Sequence, residues 1–187
     1  MNATAIGTTI TNEISEEITG NGTQKRAGSR AGVLADRIEE GAELLAAFAE
    51  TLSDEEWKTT VTATDQRTVG VTVHHVANMY PIEVGAVQAI ASGNAVTDVT
   101  WAVVADINAG HAAENANVTK SAAIELLRQN SKEAADAIRG LTDEQLDTAA
   151  PFSLSFGAPV TAQFVIEDHP LRHPWHHLAR IKTVLGR

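Results

Sequence analysis

Apolar residues recur every three or four positions along several stretches of the chain, and this periodicity constrains its fold most. The first such stretch, residues 31–52, is the most regular. Its apolar positions are Leu34, Ile38, Gly41, Leu45, Phe48 and Leu52. Residues at this spacing share one face of an α-helix, so the stretch predicts an amphipathic helix with its acidic residues on the opposite, solvated face.

Further stretches also predict helices. Residues 68–90 carry a long apolar run in which Pro81 predicts a kink. The next helix is expected to bury Trp101, Val104, Ile107 and Ala112. In that helix His111 is expected to face solvent. Two longer helices follow, one over residues 119–139 and one that begins at Thr161. Because the chain is also rich in alanine and poor in aromatic residues, the expected fold class is all-α.

Two short sequences, LSDEE at residues 52–56 and LTDEQ at residues 141–145, carry the same signal for the start of a helix. In each, Ser or Thr is followed three residues later by Glu or Gln, which is the capping-box pattern. Each follows a long amphipathic stretch and precedes a loop and a histidine-bearing stretch. This repeated pattern predicts short extra helices and a doubled helix-pair architecture.

Length and composition exclude several classes of protein. With 187 residues the chain can bury the core of one domain, which we place at residues 29–187 after a flexible, polar tail of residues 1–28. The absence of cysteine excludes disulfides, thiolate zinc sites and a cysteine nucleophile. A formal net charge of -10 disfavours nucleic acid as a partner. With no signal peptide and no membrane-spanning run recognisable, we expect a cytoplasmic protein.

Histidines cluster towards the end of the sequence. Four of the seven histidines are His169, His173, His176 and His177. The pairs His169/His173 and His173/His177 are each four residues apart, which places both rings on one face of a helix. Because neutral imidazole is a good ligand for zinc, nickel and iron, these overlapping pairs predict a metal site. A catalytic zinc usually takes three protein ligands, and His75 is the best candidate for the third.

Two prolines complicate this last helix. Pro170 and Pro174 each lack a backbone donor, and each biases the preceding histidine away from helical geometry. We therefore expect the helix to kink there or to begin only at Pro174. Either outcome would disturb the four-residue spacing. The pairing of His169 with His173 therefore remains open beside the pairing of His173 with His177.

Three segments together resemble the DinB-like superfamily, which includes the mycothiol-dependent maleylpyruvate isomerases. They are TVGVTVHHVA at residues 68–77, DINA with AAE at residues 106–114, and HPWHHLARI at residues 173–181. The resemblance runs from about residue 31 to residue 187 and implies a four-helix bundle that binds one divalent metal. It implies His75, His173 and His177 as the ligands, with zinc first and nickel or iron as alternatives. It does not imply DNA binding.

Other polar residues near these segments are candidates for the chemistry. His176 and Asp168 are candidate catalytic groups. Arg172 and Arg180 are candidates for binding an anionic cofactor, together with Arg67. Residues that would orient a ligand imidazole or contact substrate are sought among His74, Asn78, Glu83 and Asp106.

These features lead to three hypotheses about function. A three-histidine metal leaves coordination positions open, where a bound water or thiol becomes more acidic. The first hypothesis, implied by the resemblance, is an enzyme that uses an external low-molecular-weight thiol of the mycothiol or bacillithiol type for S-transfer or isomerisation of a small molecule. The second is a metal-dependent hydrolase. The third is a non-catalytic bundle with a vestigial or structural site. A homodimer is also predicted.

Overall fold

The computed structural model describes residues 29–61 and 66–187. The helices in these residues are α1 (Arg30–Glu50), α2 (Asp54–Trp57), α3 (Val69–Ala91), α4 (Trp101–Glu114), α5 (Lys120–Arg139), α6 (Asp143–Asp147), α7 (Ala162–Ile166) and α8 (Arg172–Leu185). Two short strands, β1 (Ala149–Pro151) and β2 (Pro159–Thr161), pair antiparallel between α6 and α7. The predicted tail, residues 1–28, lies outside the described residues, so the domain boundary stays a prediction.

Four helical segments pack around one core. Both α1 and α3 lie against α5, and the segment formed by α7 and α8 packs against α1 and α3. The remaining longer helix, α4, lies on the outer side of α3. This arrangement confirms the predicted all-α, four-helix-bundle fold with short extra helices. In the part of the chain that is described, no helix is both long and apolar enough to cross a membrane.

The apolar stripe of α1 faces the core, as its spacing predicts. Leu34, Ile38 and Leu45 are buried. They belong to the same core as Leu127 and Ile138, which form part of the stripe of α5. Since these are large side chains removed from water on both helices, the interface of α1 with α5 supplies much of the hydrophobic stabilisation of the bundle.

Gly41 allows α8 to approach α1 closely. A Cβ atom at this position would lie 2.5 Å from Trp175 Nε1 and 3.0 Å from Pro174 Cγ. Protein interiors are close-packed, so a larger side chain here would push the two helices apart. The glycine thereby sets where α8, and the histidines on it, lie relative to the bundle.

Both capping boxes form as predicted. The Ser53 hydroxyl accepts from the Glu56 N–H while the Glu56 carboxylate accepts from the Ser53 N–H, and Thr142 and Gln145 make the same exchange. The two boxes start α2 and α6. Each short helix lies between a long helix and a helical segment that carries histidines. The order of elements therefore supports the doubled helix-pair architecture.

The last helical segment accommodates Pro170 by a π-helical turn. The turn spans Glu167–Leu171 and joins α7 directly to α8. In a π turn the hydrogen bonds run between residues five apart, and such turns commonly mark functional sites in helices. Pro174 is the third residue of α8, directly after this irregular turn, and the backbone stays helical through it. The segment thus stays helical, and α8 begins at Arg172 rather than at Pro174.

The orientation of α4 differs from the sequence prediction. Trp101 and Ile107, expected in the core, are 57% and 37% exposed. His111, expected to face solvent, is the buried residue of this helix. The apolar residues Trp101, Val104 and Ile107 share one face of the helix, but this face borders a cavity instead of the bundle core.

Candidate metal centre

Three histidine side chains converge where α3 meets α8. His75 extends from α3, and His173 and His177 extend from successive turns of α8. One ring nitrogen from each lies within 4.8 Å of the others. His75 and His177 are each 4% exposed, so the group lies beneath the surface. The structure therefore brings together the three residues that the family resemblance implies.

The π-helical turn decides which pair of histidines can act together. Because α8 is regular from Arg172 onwards, His173 and His177 keep their four-residue spacing on one face. His169 lies within the π turn, and its ring packs edge-on against Phe152 with 5.4 Å between the ring centroids. His169 is not a member of the converging group. The described residues thus favour the pairing of His173 with His177.

Glu83, on α3, contacts one of the candidate ligands. Its Oε1 lies 2.8 Å from His173 Nδ1, and its side chain is buried. The contact does not have the geometry of a hydrogen bond, so Glu83 acts on His173 as a close negative charge beside Nδ1. A carboxylate next to a ligand histidine typically orients its imidazole. The sequence offered Glu83 only as one of several candidates. A sequence signal does distinguish Glu83 from the other candidates. It is a carboxylate about two helical turns after His75, in a part of α3 whose neighbouring residues are mostly apolar.

Burial keeps His177 in the neutral form that a metal requires. Burial lowers the pKa of His177, and the neighbouring rings of His173 and His75 lower it further. Its Nδ1 is buried and makes no hydrogen bond. Since ligand histidines bind metals as neutral imidazoles, the lowered pKa of His177 favours its binding to a divalent ion such as zinc.

A second histidine contact lies beside the first group. His74 Nδ1 is 2.8 Å from His111 Nε2, and the two rings stack with 5.0 Å between their centroids. Burial lowers the pKa of both residues. The prediction that His111 faces solvent is therefore wrong. Its position four residues after Ile107 and seven after Val104 places it on the apolar stripe of α4, which is the signal that could have identified it.

A cavity of about 590 Å³ extends from the three histidines between α3, α4 and α8. His176 and Asp168, the predicted catalytic residues, both line it. The exposed ring of His176 lies 5.1 Å from that of His177, measured between centroids. Asp168 accepts at its backbone oxygen from Arg172 Nε, over 3.1 Å. Asp106, by contrast, is exposed and does not line the cavity.

The predicted arginines give the cavity a cationic lining. Arg67, Arg172 and Arg180 all contribute to its wall. Burial lowers the pKa of His176, and the charges of Arg180 and Arg172 lower it further. The same lining holds two carboxylates, Glu83 and Asp168, and Asp168 Oδ1 lies 3.2 Å from Arg172 Nε. The arginines outnumber these carboxylates by one, which favours an anionic ligand even though the whole chain carries a net charge of -10.

The fold is similar to a solved structure. YfiT from Bacillus subtilis, described as a probable metal-dependent hydrolase with an unusual four-helix bundle topology, superposes with a TM-score of 0.66 at 18% identity. The match covers 90% of this chain and 94% of YfiT, and at this identity it establishes the fold alone. No match to a curated protein was found. The family model of the DinB superfamily matches residues 37–181, which is more than half of the chain. The chain therefore belongs to the DinB superfamily.

Proposed function

We propose that this chain is a metal-dependent enzyme in which His75, His173 and His177 bind one divalent cation, zinc in the first instance. The observation that carries the proposal is the convergence of three ring nitrogens within 4.8 Å at one end of a cavity. Three protein ligands with an open position are typical of catalytic zinc, whereas structural zinc is enclosed by four. A cavity next to the open position gives a small-molecule substrate access.

The residues around the centre have separable roles in this proposal. A divalent ion held by the three histidines would act as a Lewis acid and make a bound water or thiol more acidic. Glu83, whose Oε1 lies 2.8 Å from His173 Nδ1, holds the orientation of the His173 ring. Arg172 and Arg180 attract and orient an anionic group of the substrate or cofactor. His176, at the cavity wall, is placed to accept or return a proton at a ring nitrogen.

The first candidate reaction uses an external thiol. Since the chain has no cysteine, a thiol nucleophile must come from a small molecule. The arginines in the cavity wall suit a thiol cofactor that carries an anionic group. S-transfer or isomerisation with a mycothiol-type or bacillithiol-type cofactor is the reaction class that these features support.

The second candidate reaction is hydrolysis. It is favoured by the structural similarity to YfiT, which is described as a probable metal-dependent hydrolase. His176 and Asp168 line the cavity and would serve as the general base for an attacking water. The homodimer and the cytoplasmic location stay predictions beside either reaction.

Cobalt-loaded protein distinguishes the two reactions. We would titrate it with glutathione and with S-methylglutathione, which has the same charge but no free thiol. The first candidate predicts a thiolate-to-cobalt absorption band with glutathione alone, and its loss in His177→Ala. The absence of this band, together with metal-dependent hydrolysis of simple esters, would favour the hydrolase. Protein that binds no metal would contradict both and leave a vestigial site.

A further inference from the structure

The cavity beside the metal centre has an apolar wall that is exposed to solvent. Ile82 of α3 and Trp101 and Ile107 of α4 are 43%, 57% and 37% exposed. All three line this one cavity. Large apolar side chains clustered in a concave, open site commonly mark the place where an apolar ligand binds.

The apolar and cationic parts of the wall lie at different distances from the metal ligands. Along α3 the lining residues begin at His75 and continue to Ala86, about 16 Å further at about 1.5 Å per residue. Helix α4 lies beside these residues of α3 and runs in the opposite direction. Its His111 contacts His74 near the metal centre, whereas Trp101 lies at the opposite end of the helix.

The ends of the cavity therefore differ in character. Arg180 follows the metal ligand His177 by less than one turn, and Arg67 closely precedes α3, so both arginines lie towards the metal end. The lining that accompanies Trp101 away from the metal includes the apolar residues Val96, Val99, Phe152 and Leu154. One polar residue of the lining, His169, packs its ring edge-on against Phe152 there. A ligand that satisfies both ends must be apolar over most of its length and anionic or polar at one tip.

We propose that the cavity binds an elongated amphiphile, an acyl or aryl chain whose polar or anionic head lies at the three-histidine centre and whose apolar body lies along α4. This names the substrate class for the proposed metalloenzyme and therefore rests on that function for the role of the head group. A volume of about 590 Å³ is within the range of sites that enclose a small organic ligand. A small, wholly polar substrate would leave Trp101 and Ile107 in contact with water.

Straight-chain carboxylates from butanoate to dodecanoate test the proposal by calorimetric titration of zinc-loaded protein. Affinity is expected to rise about 4-fold with each added methylene and to level off once the cavity is filled. The matched primary alcohols should show the same dependence on length with lower affinity, because they lack the charge that the arginines attract. Affinity that does not depend on chain length would overturn the proposal.

Three variants locate the binding. Trp101→Ala and Ile107→Gln should weaken the longest carboxylate about tenfold or more and leave the shortest unchanged, since only the long chain reaches α4. Phe156→Ala is the matched control, because Phe156 is 93% exposed and does not line the cavity. Thermal unfolding of each variant confirms that it folds. An equal loss in Phe156→Ala, or none in either α4 variant, would contradict the proposal.

The same titrations on protein that lacks the metal test the amphiphile site independently of the proposed enzyme. His177→Ala should keep the dependence on chain length and lose part of the preference for carboxylate over alcohol. Native protein that binds no metal would contradict the proposed enzyme. The amphiphile site would still stand if the affinity of this metal-free protein depends on chain length and if Trp101→Ala removes that dependence. If instead Trp101→Ala only weakens self-association and carboxylate binding is unaffected, the α4 face contacts a second copy and the amphiphile site is wrong.

Discussion

The two faces of α3 differ in what covers them. Towards α5, helix α3 contributes to a continuous core. Ion pairs at the surface connect α5 to α1. Towards α4 it borders a cavity that holds the three histidines, three arginines and a row of exposed apolar residues. One side is packed for stability, and the other leaves apolar and charged groups accessible. Under the proposed function, α4 serves ligand binding more than folding.

The largest expected contrast is in stability. Leu127→Ala, in the packed side of the bundle, should lower the free energy of unfolding by about 2–5 kcal/mol, because it leaves a cavity among fully buried neighbours. Ile107→Ala, on α4, should change it by less than about 0.5 kcal/mol, because the side chain is partly in water. Urea unfolding followed by circular dichroism measures both. Equal losses would contradict the division into a packed side and a binding side.

A smaller effect is expected where the two faces meet, at Glu83. Glu83→Gln keeps the size of the side chain but removes the charge that orients His173, so metal affinity should fall about 10–100-fold. Competition with a chromophoric chelator measures the change. Glu40→Gln, an exposed residue of α1, is the matched control and should bind metal as the native protein does. Unaltered affinity in Glu83→Gln would show that the contact with His173 has no orienting role.

The smallest effect concerns the ion pairs on the packed side. Arg128 contacts Glu43 and Glu50 at 2.8 Å each, and its hydrogen bond lowers the pKa of Glu43. A carboxyl whose pKa is lowered in the folded state stabilises the fold above its unfolded pKa, and this contribution is lost as the pH falls through the folded value. Because the side chains are about half exposed, Arg128→Met should cost at most about 1 kcal/mol at neutral pH.

The pH dependence of this variant is the informative part. The difference in unfolding free energy between native protein and Arg128→Met should shrink as the pH falls below the usual range for glutamate, and added salt should reduce it at neutral pH. Urea unfolding of both proteins, at neutral pH and at a pH below the usual range for glutamate, measures this difference in unfolding free energy. A difference that grows on acidification would contradict the assignment of the pair.

Much of the bundle was predictable because its signals are local. The 3–4 spacing in α1 and α5 and the capping boxes at Ser53 and Thr142 depend on residues within one or two turns. The family resemblance added the three histidines. Their convergence in space required the packing of α8 against α1 and α3, which no local pattern contains.

The misassigned residues share a physical cause. Apolar spacing in α4 shows that Trp101 and Ile107 share a face, but it does not show whether that face meets protein or a cavity. The burial of His111 depends on its contact with His74, which is distant in sequence. The π-helical turn at Pro170 depends on how the flanking helices are held in the bundle. Each of these features is set by tertiary packing and not by helix propensity.

The central claim, a three-histidine metal centre, is tested most directly by the metal content of protein purified without a histidine tag. Elemental analysis should find about one equivalent of a divalent metal in the native protein and its loss in both His75→Ala and His177→Ala. His176→Ala, next to a ligand but outside the converging group, should retain the metal. Substoichiometric metal that neither ligand variant changes would contradict the claim.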